Sequence, residues 1–497
     1  MRGRLIHHFP HCMLYFSQRR SGAKRDQMSV LPASIQDMAG MKVVVMGLGL
    51  HGGGLESARF FCDKGAIVTV TDLRDETTLK PSIKALEGRA VRYVLGRHEL
   101  EDFRTADIVI KNPAVSRTSP YLAAAKAIET DISVFLRYSK SPVVAVTGSK
   151  GKSSTASAIH FGFTHAGVHS LLGGNITVSP LSFLDDTDAG RPVVLELSSW
   201  QLADMRGLGV LKPEVAVITA IMPDHMNYYS SMEEYVADKR LIYADQDSTD
   251  VTICDRDSDW GRSFASETKA KVLWYSGKTH GEEGAWLETG VRSFRGGFRR
   301  SMKNGKAVIE EILPPSLLIP GIHMRKNLLA AGLALGAMGI EPSTISSAMA
   351  NFPGVEHRLE FFAESAGVKW YNDSAATIPY AVDAALSSFD QPVVLITGGT
   401  DKNIDFEPLK TAYAKASAIV LLAGTGTEKL IPLLREQRIG WRGPYDNLGQ
   451  AVRAAGEIAR PGMAVVLSPG CASFGMFLHE FDRGKKFKEA VREMLGL

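Results

Sequence analysis

The chain has 497 residues, too many for one ordinary core, and a prior of about 150 residues per domain gives roughly three domains. Apolar residues make up 45% and charged residues 22%, as in soluble globular proteins. No apolar run approaches the ~18–20 residues of a membrane span, and a net charge of +3 gives no basic surface for nucleic acid; membrane insertion and nucleic-acid binding are not expected.

The N-terminal stretch carries Arg2, Arg4, Arg19, Arg20, Lys24 and Arg25 against Asp26, without the cleavage site of a secretory signal. Residues 1–37 read as a disordered extension or as an over-called start, with initiation at Met28, Met38 or Met41. Cys12, Cys62, Cys254 and Cys471 are scattered, with no CxxC pair and no zinc-ligand spacing, which predicts idle thiols in a reducing compartment.

From residue 38 to 140, the runs "KVVVMG" from Lys42, "AIVTVTD" from Ala66 and "ADIVIKN" from Ala106 alternate with helical stretches. Such runs, buried on both faces, predict a parallel sheet. "GLGLHG" at 47–52 satisfies GxGxxG directly after a strand, and Asp72 ends the next strand. The glycines permit a tight turn, the following helix N-terminus receives a pyrophosphate, and the acid suits a ribose; a tight turn without ligand is the other reading. Nothing downstream suits hydride transfer, so a nucleotide carried by the substrate is expected in place of a redox cofactor.

From 141 to 352 the pattern continues with "PVVAVTG" from Pro142, "PVVLELS" from Pro192 and "VAVITAI" from Val215. The strand before "TGSKGKSS" delivers Thr147, Gly148, Ser149, Lys150, Gly151, Lys152, Ser153 and Ser154 to a helix N-terminus, where free N–H groups attract phosphate. The loop is shorter than GxxxxGK[ST], since Val146 stands where its first glycine belongs. Lys152 suits terminal phosphates, and Ser153 or Ser154 suits Mg²⁺. Glu196 and His225 each follow a strand, where α/β sites collect. Lys239, in "EEYVADKRLIY", taken by itself reads as a charge on a solvated helix face. Residues 284–312 are Gly- and Arg-rich and predict hairpins. After the Pro/Gly break at 351–360, "PVVLITGG" from Pro392, "SAIVLLAG" from Ser417 and "AVVLSPG" from Ala464 predict a third parallel sheet over 353–497. The expected fold class is α/β: a Rossmann-like domain, a central P-loop ATPase-like parallel-sheet domain, and a C-terminal Rossmann-like domain.

"TGSKGKSS" is similar to the TGxxGKS[ST] loop of the ATP-dependent Mur ligases, and the chain resembles that family from about residue 41 to 497. "GLGLHG" with "TDLR", "ELSSWQL", "NDSAAT" from Asn372, and "LSPGCASFGMF" from Leu467 running to "DRG" at Gly484 are similar to its D-glutamate-adding branch. The DNPR-like motif expected of the diamino-acid-adding branch is absent. The resemblance implies that Leu50, His51, Asp72, Leu73 and Arg74 face a UDP group, with Asn112 near the pyrophosphate and Asn175 and Ser198 toward the muramoyl part. It further implies ATP phosphates on Lys152, and Mg²⁺ at two sites held by Ser153, Glu196, His225 and Lys239. In this family's pattern Lys239 is a CO₂-derived carbamate, an anion where an ammonium would repel the metal. Asn327, His357, Arg358 and Asp373 would contact adenosine, and Lys402, Thr377 and Ser473 the incoming amino acid.

The implied substrates are UDP-N-acetylmuramoyl-L-alanine and D-glutamate, joined through an acyl phosphate in a cytoplasmic step of peptidoglycan synthesis, with a monomer as default. Met324, Ala220, Asn227, Ala375, Gly475 and Glu480 depart from the family pattern. They leave open a ligase with a different amino-acid acceptor, or a nucleotide-binding homologue without turnover.

Overall fold

The computed structural model describes residues 30–50, 52–176, 178–290 and 294–497. Two compact units emerge: one runs to residue 314 and takes in 326–349, the other holds 315–325 and 350–497.

The first unit contains two sheets. Strands β1 (Lys42–Met46), β2 (Ile67–Asp72), β3 (Val91–Leu95), β4 (Ile108–Lys111) and β5 (Ile128–Glu129) lie in the order β3-β2-β1-β4-β5, all parallel. This is the order of a Rossmann-type half, with its crevice at the strand C-termini beside β1. The second sheet comprises β6 (Val143–Thr147), β7 (Leu171–Gly174), β8 (Val193–Glu196), β9 (Val215–Ile218), β10 (Val251–Asp255), β11 (Lys271–Ser276), β12 (Gly284–Thr289), β13 (Phe294–Lys303) and β14 (Lys306–Leu313). Its order is β14-β13-β12-β11-β10-β9-β6-β8-β7. The strands through β12 pair in parallel, and β12, β13 and β14 form the antiparallel hairpins that the Gly- and Arg-rich stretch predicts. Val43 and Ile110 of the first sheet share one apolar core with Val143, Leu195 and Ile218 of the second. A buried ion pair crosses between them, Lys111 Nζ lying 2.7 Å from Asp204.

The second unit carries β15 (Glu360–Ser365), β16 (Val368–Asn372), β17 (Val393–Thr397), β18 (Ala418–Leu422), β19 (Trp441–Tyr445) and β20 (Ala464–Leu467), in the order β15-β16-β20-β17-β18-β19. Only the β15 edge is antiparallel among these strands.

Two details differ from the sequence reading. The stretch 30–37, assigned there to the extension, is tied to the unit: Leu31 is buried in the core, and the Tyr138 hydroxyl donates to the Pro32 carbonyl at 2.7 Å. Residues 315–325 group with the C-terminal unit rather than with the central stretch. Ile319 and Met324 enter that unit's core, and the Tyr371 hydroxyl donates to the Leu318 carbonyl.

Candidate active site

The loop after β6 is fastened from three sides. The Thr147 hydroxyl donates to the Leu197 carbonyl at 2.7 Å. The Ser149 hydroxyl donates to the Met222 carbonyl at 2.9 Å and accepts from the Tyr235 hydroxyl at 3.0 Å, so this side chain is spent on the protein. The Thr219 hydroxyl donates to the Lys150 carbonyl at 2.8 Å. Gly151 has φ 92°, and a Cβ there would lie 2.4 Å from Asn327 Oδ1; only glycine lets Asn327 approach so closely. Lys152 opens the helix Lys152–His165, with Ser153 and Ser154 in its first turn, and its Nζ donates to the Gly148 and Ser149 carbonyls at 3.0 Å each. Lys150 reaches Asp224 at 3.2 Å. A helix start, whose first N–H groups have no intrahelical acceptor, and a lysine curled over the loop make an arrangement that suits an anion.

Beside this loop lies Lys239, the last residue of the helix Met232–Lys239. It is only 2% exposed, and its Nζ donates to the Gly148 carbonyl at 2.8 Å above the Tyr235 ring at 4.5 Å. Burial, with the nearby Lys152 charge, pulls its amine down to about 7, so a large neutral fraction exists near neutrality. Glu196 ends β8 and is buried. Its Oε1 accepts from Asn175 Nδ2 at 2.8 Å, whereas its Oε2 is buried without a hydrogen-bond partner. An orphaned carboxylate oxygen beside a phosphate loop suits a cation. His225 takes φ 57° and packs against the Trp200 ring at 5.0 Å. Ser198 caps the helix Ser199–Asp204, exchanging hydrogen bonds with Gln201.

In the first sheet, Asp72 binds its own loop. Its Oδ2 accepts from the Gly49 N–H at 3.1 Å and its Oδ1 from the Arg74 N–H at 2.9 Å, fixing the GxGxxG turn. Asn112 Nδ2 donates to the Gly47 carbonyl at 3.3 Å on the same turn. Leu50 and Leu73 are exposed apolar residues flanking it; His51 lies outside the described residues.

In the second unit, Lys402 Nζ donates to the Thr377 hydroxyl at 2.9 Å. Ser473 is buried, and the neighbouring Ala472 exchanges backbone hydrogen bonds with Thr400, two residues before Lys402. Lys402 thus meets Thr377 directly, and Ser473 follows the residue that pairs with Thr400. Asp373 is buried, accepting from the Leu359 N–H at 3.1 Å and the Ser468 hydroxyl at 2.7 Å, and burial lifts its carboxyl to about 7. His357 is buried at φ 65° and takes a hydrogen bond on Nδ1 from Asn372 Nδ2, while Arg358 is exposed. Glu356 and Glu360 beside His357 are satisfied by the Lys488 ammonium at 2.9 and 2.7 Å. Glu480 is the first residue of the C-terminal helix Glu480–Leu495, and its carbonyl accepts from the Ser374 hydroxyl. Gly475 takes φ 99°, a conformation that a residue with a Cβ adopts only under strain.

Sequence reasoning missed Thr219, Asp224 and Tyr235. Tyr235 carried a usable signal, since it lies four residues before Lys239 on one helix face. The hydroxyl of Thr219 carried none.

Three family descriptions match the chain in order: the Mur ligase MurD-like N-terminal domain at residues 41–134, the Mur ligase middle domain at 146–335, and the Mur ligase glutamate ligase domain at 357–471. The chain is 41% identical to the UDP-N-acetylmuramoylalanine--D-glutamate ligase of Treponema pallidum, an alignment covering 92% of this chain and 98% of that one. It is also 41% identical to the enzyme of the same name from a Roseiflexus species, over 91% and 99% of the two chains. Among solved structures, the UDP-N-acetylmuramate-alanine ligase MurC of Thermotoga maritima superposes with a TM-score of 0.54 at 17% identity, covering 91% of this chain and 100% of that one. The MurF ligase of Thermotoga maritima in complex with ADP gives 0.52 at 14% identity, over 94% and 97%. This chain belongs to the Mur ligase family, with that family's three-domain α/β fold.

Proposed function

We propose that this protein is an ADP-forming ligase that joins D-glutamate to UDP-N-acetylmuramoyl-L-alanine, a step of peptidoglycan synthesis carried out in the cytoplasm. The observation that carries the reading is the cluster of Lys152, Lys239 and Glu196 around the short phosphate loop, in a chain 41% identical to D-glutamate ligases along nearly its whole length.

In this reading the phosphate loop and Lys152 bind the ATP phosphates, and Asn327, with His357, Arg358 and Asp373, forms the adenosine contacts. The glycine turn fixed by Asp72 and Asn112 receives the UDP moiety, with Leu50, His51, Leu73 and Arg74 around it and Asn175 and Ser198 toward the sugar. The substrate carboxylate attacks the γ-phosphorus of ATP, giving an acyl phosphate and ADP. The amine of D-glutamate, oriented by Lys402, Thr377 and Ser473, then attacks the acyl carbon; a C–N bond forms, the C–O bond to phosphate breaks, and the amine loses its proton. Glu196 with its orphan oxygen, His225 and Ser153 are the side chains that would hold Mg²⁺, which would supply neutralisation of the phosphate charge. The neutral amine of Lys239 could take up CO₂ with loss of a proton, and the resulting anionic carbamate would add to the side chains that would hold the metal.

ADP release from ATP, Mg²⁺ and UDP-N-acetylmuramoyl-L-alanine tests this, with D-glutamate, L-glutamate, L-lysine, meso-diaminopimelate or no amino acid added. Release only with D-glutamate is expected. Release with another acceptor would change the substrate, and none with any acceptor would remove the activity.

A further inference from the structure

Arg483, on the C-terminal helix, is 1% exposed. Its Nε donates to the Ser374 hydroxyl at 3.0 Å, one terminal nitrogen to the Ser374 carbonyl at 2.9 Å, and the other to the Cys471 carbonyl at 3.2 Å. All three acceptors are neutral. Burying an ion carries a desolvation cost, and burial has drawn this guanidinium down to about 10. What a guanidinium offers in return is a rigid planar fork that can bridge two chain segments at once.

The two segments are the ones that matter for the amino acid. Ser374 opens the turn that leads to Thr377, and Cys471 lies two residues before Ser473. The intervening Ala472 pairs with Thr400, on the loop that carries Lys402. The Ser374 hydroxyl closes the network by donating to the Glu480 carbonyl at 2.7 Å.

We infer that Arg483 is a positioning residue for the amino-acid pocket, holding the Thr377 turn and the Ser473 loop in fixed register with one another. This rests on the reading of Lys402, Thr377 and Ser473 as the D-glutamate site.

Steady-state kinetics of full-length R483K and R483Q test it, with each of the three substrates varied in turn. In both variants KM for D-glutamate rises about 10-fold or more, because small misplacements are amplified at a reacting centre, while KM for ATP and for the UDP-substrate stays within about 2-fold. The lysine variant fails to rescue, since one ammonium cannot reproduce the fork. An unchanged KM for D-glutamate in both variants, or an equal rise for all three substrates, overturns the inference. Ser374→Ala removes one tie at lower risk to folding and should raise KM for D-glutamate selectively by about 3-fold or more; an unchanged value counts against the inference even where the arginine variants fail to fold. A wild-type enzyme that releases no ADP in response to D-glutamate overturns the substrate reading instead.

Discussion

The amine of Lys239 hydrogen-bonds to the carbonyl oxygen of Gly148 at 2.8 Å, which sets a buried, readily deprotonated lysine against the backbone of the phosphate loop. Desolvation favours the neutral amine, the form that adds CO₂. Removing CO₂ and bicarbonate should therefore lower ligase activity reversibly. Lys239→Met should lose on the order of 10²-fold in kcat and be indifferent to bicarbonate. Activity insensitive to CO₂ depletion in the wild type would separate Lys239 from this chemistry.

Glu196 carries a buried oxygen without partner, a cost of about 1–3 kcal/mol. Glu196→Gln keeps the acceptor for Asn175 and removes the charge. The apparent Mg²⁺ affinity should fall at least about 10-fold, with melting temperature unchanged or higher. A lower melting temperature with full Mg²⁺ response would identify Glu196 as purely structural.

Gly151 admits Asn327 over the phosphate loop because it has no Cβ. Gly151→Ala meets both that contact and a left-handed backbone, the latter costing about 1–2 kcal/mol. KM for ATP should rise more than KM for D-glutamate, and Asn327→Ala in the same chain should relieve part of the loss. Additive damage from the two changes would rule out the steric contact.

The carboxyl of Asp373 is raised to about 7 in the folded chain against about 4 when unfolded. Its contribution to stability is thus fully present below about pH 4 and is lost as the pH rises through about 7. Asp373→Asn does not ionise, so its melting temperature relative to wild type should increase from pH 5 to pH 8. A constant difference over that range would contradict the shift.

Backbone demands were the legible part of this chain. A glycine turn or a helix start that must accept phosphate constrains residue type at fixed spacing, so "GLGLHG" and "TGSKGKSS" announced the first two sheets and their strand-end loops. Strand runs buried on both faces announced the parallel sheets, and the Gly- and Arg-rich stretch its hairpins. Side chains whose role depends on burial stayed hidden. Lys239 in "EEYVADKR" read as a solvated charge and Arg483 in "FDRGKKF" was given no role of its own, because local pattern carries no record of what packs over them. Ser149 and Asp72 sat in motifs that suggested ligand contacts, yet both also serve to lock their own loops. Leu31 fell within the stretch read as an extension, although it is buried in the core.

The most direct test of the central claim is the product itself. Purified enzyme given ATP, Mg²⁺, bicarbonate and UDP-N-acetylmuramoyl-L-alanine, with D- or L-glutamate, is followed by mass spectrometry. A UDP-linked product heavier by one glutamyl residue, formed only with D-glutamate and matched mole for mole by ADP, is the result expected. ATP consumption without that product, or the same product from L-glutamate, would contradict the account.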